Sequence, residues 1–138
     1  MYLLDTDVIS ETSRGSKLNA GVRRFLEQAE QSASPLFISV VSVGELRRGV
    51  EILRRRKDLR RLRNLESWLE TLLARHESHI LDFGREEAHV WGWLRVPHPE
   101  NELDKQTAAT AITHHLTVVT HNRRHFADLH VEVIDPFE

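Results

Sequence analysis

The sequence predicts an α/β fold on a short central parallel sheet, and three observations carry that prediction. Short apolar runs rich in branched residues alternate with longer segments of helical period, which is the pattern of successive βα units. The chain is 40% hydrophobic and 29% charged, the composition of a globular protein with enough apolar surface for a core. Its 138 residues include no cysteine, so the core holds without disulfides, and thiol catalysis, zinc–thiolate and iron–sulfur chemistry are excluded.

The apolar spacing then assigns each element in order. Five strands are expected, at Tyr2–Asp5, Leu36–Val41, His79–Phe83, Thr117–Thr120 and Val131–Ile134. Helices are expected between them at Asp7–Ser13, Ala20–Gln31, Val43–Arg56, Leu59–His76, Arg85–Leu94 and Lys105–His115. In the fourth helix Leu59, Leu62, Leu65, Leu69, Leu72 and Leu73 recur at three- and four-residue steps, one packing stripe among charged neighbours. Gly15 and Pro35 end βα units, and Val96-Pro97-His98-Pro99 forms a stiff connection. The stretch from Asn122 to His130 is too short for a crossover helix, which leaves a sheet of four or five strands. No repeat or composition shift interrupts the chain, so residues 1–138 are expected to form one domain.

The N-terminus MYLLDTD has no basic leader, and no window approaches the ~20 apolar residues that span a bilayer. Neither signal peptide nor membrane span is expected, and the cytoplasm is the expected compartment. A net charge of −2 conceals an uneven distribution. Nine of the 19 lysines and arginines lie between Arg47 and Arg63, against only Glu51 and Asp58. Such a run is either a solvated helical face or a surface for phosphates or an acidic partner.

The acidic residues fall at the ends of strands. Asp5 closes the first strand, followed by Asp7, Glu45 sits just past the second, and Asp104 opens the last long helix. In an open parallel sheet, residues beyond the carboxyl ends of the strands line one crevice. Asp5, Glu45 and Asp104 converge there if the helix of Asp104 packs against the first strand. Each has a structural alternative. Ser42-Val-Gly-Glu45 fits a capping box, and Asp104 fits a first-turn acid favoured by the helix dipole. A cluster of carboxylates repels itself unless a divalent cation sits among them, and an oxygen-only donor set suits Mg²⁺ or Mn²⁺. Such an ion activates water and stabilises the oxygens of an in-line displacement at phosphorus, which makes phosphodiester hydrolysis the expected chemistry. Thr6 and Thr120 add hydroxyls beside these acids, and Arg123 and Arg124, after the fourth strand, are placed to meet a phosphate backbone or to sit solvated on a loop.

The segments LLDTDVIS, ISVVSVGELRRGVEIL, LDKQTAATAITHHLTVVTHNRRHF and the closing IDPF together resemble the PIN-domain ribonucleases, and among them the VapC-type toxins of bacterial toxin–antitoxin pairs. The resemblance implies a three-layer α/β/α fold and a metal-dependent endoribonuclease that inhibits translation. It places Asp5, Glu45 and Asp104 as the metal-holding acids. It also implies a cognate VapB-type antitoxin, an RNA substrate and a homodimer. The chain departs from the family's usual pattern twice. Asp7 stands where Asn is usual, and Thr120-His121-Asn122 followed by His125 stands where an acid is common. Asn122 joins the catalytic set as a neutral oxygen donor, His125 would favour Mn²⁺, and Asp7 is an auxiliary charge.

Other readings are a PIN fold kept only for binding a partner or nucleic acid, and a HAD-type phosphatase with Asp5 as nucleophile and Asp7 as acid/base. The second lacks the later lysine and paired acids such enzymes need. His121 and His125 have zinc-ligand spacing, with His114 and His115 nearby. Trp68, Trp91 and Trp93 read as helix packing, the last two on different faces.

Overall fold

A computed structural model describes residues 1–137 of the chain. The described residues form five strands and six α-helices. In chain order these are β1 (Tyr2–Leu4), α1 (Thr6–Glu11), α2 (Ala20–Gln31), β2 (Leu36–Ser39), α3 (Val40–Arg55), α4 (Leu59–Arg75), β3 (Ile80–Leu81), α5 (Arg85–Leu94), α6 (Glu102–His114), β4 (Thr117–Val119) and β5 (Val133–Ile134). Short 3-10 segments at Thr12–Lys17, Glu77–His79 and Arg123–Phe126 fill the connections. The strands lie in the order β3-β2-β1-β4-β5, and every pairing is parallel. The chain therefore builds outward from β1 on one side, then returns to its other side, and the crevice of such a sheet opens at the carboxyl end of its first strand.

Period two in the strands divides the core between the two faces. Leu4, Ile38 and Val119 pack with Val8, Val22, Val50 and Leu69, while Leu3 and Val118 pack with Ala108, Ala109, Leu116 and Phe126. This is the expected three-layer α/β/α arrangement. Helix α6 is buried on nearly every side, from Thr107 through Ala111. Its alanines let the backbone approach α5 and the sheet closely. Lys105, also buried, directs its ammonium to the carbonyls of His98 and Glu100, which satisfies the charge and ties down the α5–α6 connection.

The structure moves several boundaries. Strand β2 stops at Ser39, not Val41, because Ser39 caps α3 by accepting from the Ser42 N–H at 3.2 Å. The valines that follow are helical, so β-branched content misplaces this start by one turn. Helix α6 begins at Glu102 and not Lys105, which makes Asp104 its third residue. Strand β5 is confined to Val133–Ile134. Gly15 adopts φ +57°, which breaks the segment after α1 and turns the chain toward α2.

The leucine stripe of α4 is spent inside the molecule. Leu62 and Leu69 are buried and Leu65, Leu72 and Leu73 partly so, whereas Leu59 is 59% exposed and lies off the stripe. Part of the basic run is neutralised locally: Arg54 pairs with Glu51 and Glu66, Arg47 with Glu66, and Arg61 with Asp58. Trp68 packs against the first core cluster. Trp91 is also packed, edge-on to Phe83 at 6.1 Å and under the Arg95 guanidinium at 4.7 Å. Trp93 departs from the packing expectation, being 61% exposed. Among the described residues no helix is long and apolar enough to cross a membrane.

The close packing of α6 makes a testable demand. Ala109, fully buried, has no room for a larger side chain, so Ala109→Leu is expected to cost about 1–3 kcal/mol in urea unfolding. Ala74→Leu, on the exposed side of α4, is expected to change it by less than about 0.5 kcal/mol.

Candidate active site

Asp5 is the residue at which the central strand becomes a helix. Its N–H donates to the Val119 carbonyl at 2.9 Å, extending the β1–β4 ladder by one residue, and its carboxylate caps α1 by accepting from the Thr6 N–H at 2.9 Å. The other carboxylate oxygen accepts from the Thr120 hydroxyl at 2.8 Å. Thr120 sits just beyond β4, where its own N–H donates to the Ile134 carbonyl at 2.9 Å, so the ladder also holds this hydroxyl in place.

The remaining acids surround this point, each held by a donor from another part of the chain. Glu45, in the second turn of α3, accepts from the Thr6 hydroxyl at 2.8 Å, with the Ser42 hydroxyl 2.9 Å from the same Thr6 oxygen. The capping-box reading of Ser42 and Glu45 is thereby replaced: Ser39 is the cap, and Glu45 faces α1. Asp7 accepts from the backbone N–H groups of Val8 at 2.7 Å and His121 at 2.9 Å. Asp104 meets His125 Nδ1 at 2.7 Å.

Burial dominates the electrostatics of Asp5, which is 4% exposed. Loss of water raises its pKa from 3.8 to about 7, the negative charges of Asp7 and Asp104 push the same way, and the bonds from Thr120 and Thr6 oppose them. Asp7 is also raised, chiefly by burial, with the His121 and Val8 N–H groups working against it. The bond between Asp104 and His125, in the turn after β4, places the start of α6 at the carboxyl end of the strand beside β1.

The side chains do not close around one point. Among the described residues no group of three acids or histidines stands together as a ready-made metal cage. The reason is visible in the hydrogen bonds: Glu45, Asp7 and Asp104 are each turned toward their own donor. The donor set nonetheless fits a hard divalent cation. It consists of carboxylates and hydroxyls, and a positive charge there would relieve the repulsion and burial that raise Asp5. The zinc reading finds less: His121 Nδ1 faces Asp135 at 3.2 Å, whereas His125 faces Asp104.

Asn122 is exposed, and its backbone N–H donates to the Thr120 hydroxyl oxygen at 3.0 Å. Arg123 and Arg124 stand exposed on the 3-10 turn that follows. Asp135 was missed by the sequence reading. It follows β5 as Asp5 follows β1, and the same rule of acids just past strands finds it. Besides holding His121, it accepts from the Phe137 N–H at 3.0 Å.

Asp5 makes stability depend on pH in a defined direction. Below the unfolded value both states carry its proton. Between that value and about 7 only the folded state does, so stability falls as pH rises and levels off above 7. The loss is on the order of a few kcal/mol. In buffer without divalent cations, Asp5→Asn is expected to melt roughly 5–10 °C above wild type at pH 8 and close to it at pH 4. Parallel pH profiles for the two proteins would refute this account of Asp5.

The PIN domain family model matches residues 2–131. Toxin FitB of Neisseria gonorrhoeae is 32% identical, with 99% of each chain covered. The crystal structure of FitAcB from Neisseria gonorrhoeae superposes with a TM-score of 0.80 at 32% identity, covering 99% of this chain and 98% of that one. A DNA-bound VapBC structure from Salmonella typhimurium gives 0.74 at 26% identity, covering 98% and 97%. Fold, strand-end acids and whole-length similarity agree that the chain belongs to the PIN-domain family, in its VapC-type toxin group.

Proposed function

We propose that this protein is a divalent-metal-dependent endoribonuclease, the toxin of a toxin–antitoxin pair, which hydrolyses RNA phosphodiester bonds and thereby inhibits translation. The observation that carries the reading is the buried Asp5 beside Asp7 and Asp104, an arrangement of charge that favours a cation. Asp5 and Asp104 would hold the ion, Mg²⁺ or Mn²⁺, with Glu45 ligating or orienting water. When bound, the ion supplies an activated water and positive charge for the phosphate oxygens during in-line displacement. Thr120 and Thr6 keep the carboxylates of Asp5 and Glu45 oriented through their hydroxyls. Asp7, held by two N–H groups, adds negative charge. His125 positions Asp104, and Asn122 anchors the Thr120 hydroxyl through its backbone. Arg123 and Arg124 face solvent at the rim, where a phosphate backbone can reach them.

The partners proposed are a VapB-type antitoxin and a second copy of the chain, in the cytoplasm. Structural neighbours support the first: FitAB bound to a DNA fragment and DNA-bound VapBC are both complexes, and FitB is a toxin. A binding module without catalysis is the second reading, favoured by Asn122 and His125 standing where a further acid is common.

Purified free of any partner, the chain is expected to make discrete cuts in total cellular RNA with Mn²⁺ or Mg²⁺ and none with EDTA. Asp5→Asn and Asp104→Asn should each abolish the cuts. Equal cutting by the variants would identify a contaminant, and no cutting with no metal bound by calorimetry would favour the binding module. Thr120→Val is expected to weaken Mn²⁺ binding by roughly 10–100-fold while leaving the fold intact.

A further inference from the structure

A second surface feature adjoins the candidate site and shares Arg124 and His125 with it. Between the α5–α6 connection and the chain after β4 lies a cleft of about 380 Å³, lined among others by Val96, Pro97, His98, Arg124, His125 and His130. Among its lining is His125, whose ring is bonded to Asp104, so one residue of the cleft touches an acid of the candidate site. The His130 ring, also in the lining, stacks on Trp93, with centroids 5.2 Å apart and planes 31° apart.

Trp93 is unusual for its helix. Trp91, two residues earlier, is packed against Phe83 and Arg95 and donates its indole N–H to the Glu102 carbonyl. Trp93 instead stands 61% exposed, beside Val96 at 77%. A large flat ring, backed on one side by an imidazole and open to water elsewhere, is a platform for another flat ring. The cleft also carries the Arg124 guanidinium, three imidazoles and two acids, Asp128 and Glu100, the latter faced by His98 Nδ1 at 3.7 Å. Aromatic surface combined with a phosphate-binding cation is the chemistry that recognises unpaired nucleotides.

We propose that the Trp93–His130 pair and the adjoining cleft form a nucleotide subsite, which stacks an unpaired base of the RNA near the scissile phosphate while Arg124 meets the backbone. The inference rests on the ribonuclease reading and specifies its substrate as RNA unstacked beside the cut.

The test measures anisotropy of a fluorescein-labelled, unstructured oligoribonucleotide with the metal-free chain in EDTA, and cleavage of the same RNA in Mn²⁺. Trp93→Ala is expected to weaken binding roughly five- to a hundredfold, and to raise KM without lowering kcat. Trp93→Phe should restore most of the affinity. Arg124→Gln should flatten the salt dependence by about one phosphate contact, which Trp93→Ala should leave unchanged. Melting curves and gel filtration accompany each variant. Equal Kd and KM for wild type and Trp93→Ala, alongside active cleavage, overturn the subsite and leave the ribonuclease standing. A Trp93→Ala effect that tracks a change in oligomeric state assigns the patch to a second copy and also overturns it. A wild-type chain that neither binds nor cuts RNA overturns both.

Discussion

The structure depends on one carboxylate that folding carries out of water. Asp5 lies at the end of the central strand, where the parallel ladder takes its N–H and the start of a helix takes its side chain. Two hydrogen bonds offset part of the cost of burying it, and neighbouring acids add to that cost. Stability alone does not explain such a position, since an asparagine would satisfy the same cap more cheaply at neutral pH. A cation in the crevice would relieve that cost, because the charge that is costly to bury is the charge that would attract the ion.

The rest of the fold prepares that crevice. Placing β1 between β2 and β4 brings the ends of three strands together, and α3 and α6 then supply Glu45 and Asp104 from opposite sides. Each acid is oriented by a group remote in sequence: Glu45 by Thr6, Asp7 by the His121 N–H, and Asp104 by His125. These cross-element bonds turn the carboxylates toward separate donors. Small residues dominate α6, which keeps its backbone close to the sheet. A bulkier helix would stand farther from the sheet and take Asp104 with it.

Charge outside the crevice is largely of opposite sign. The α3–α4 hairpin concentrates arginines, some paired with Glu51 and Glu66, others exposed, and Arg123 and Arg124 stand exposed on the turn that follows β4. A near-neutral chain thus combines a local cluster of acids with basic stretches elsewhere, the distribution that the proposed metal-dependent cleavage of a polyanion would use. In that proposal the two signs do not cancel, because screening in salt confines each field to about 8–10 Å.

How much was legible in the sequence follows from the range of the interactions involved. The α/β class, the parallel sheet, helix α5 to the residue and the acids at strand ends were readable, because apolar period and chain punctuation are local properties. The family resemblance added the expectation that Asp5, Glu45 and Asp104 act together. The start of α3 was not readable, since valines favour strand by intrinsic preference and only the Ser39 cap and packing against the sheet made them helical. Nor were the donors that turn Glu45 toward Thr6 and Asp104 toward His125, or the exposure of Trp93 beside a packed Trp91. Local composition determined which elements form and which acids end them. Only tertiary structure decided how those acids face one another, because hydrogen-bond geometry and burial arise from elements far apart in the chain.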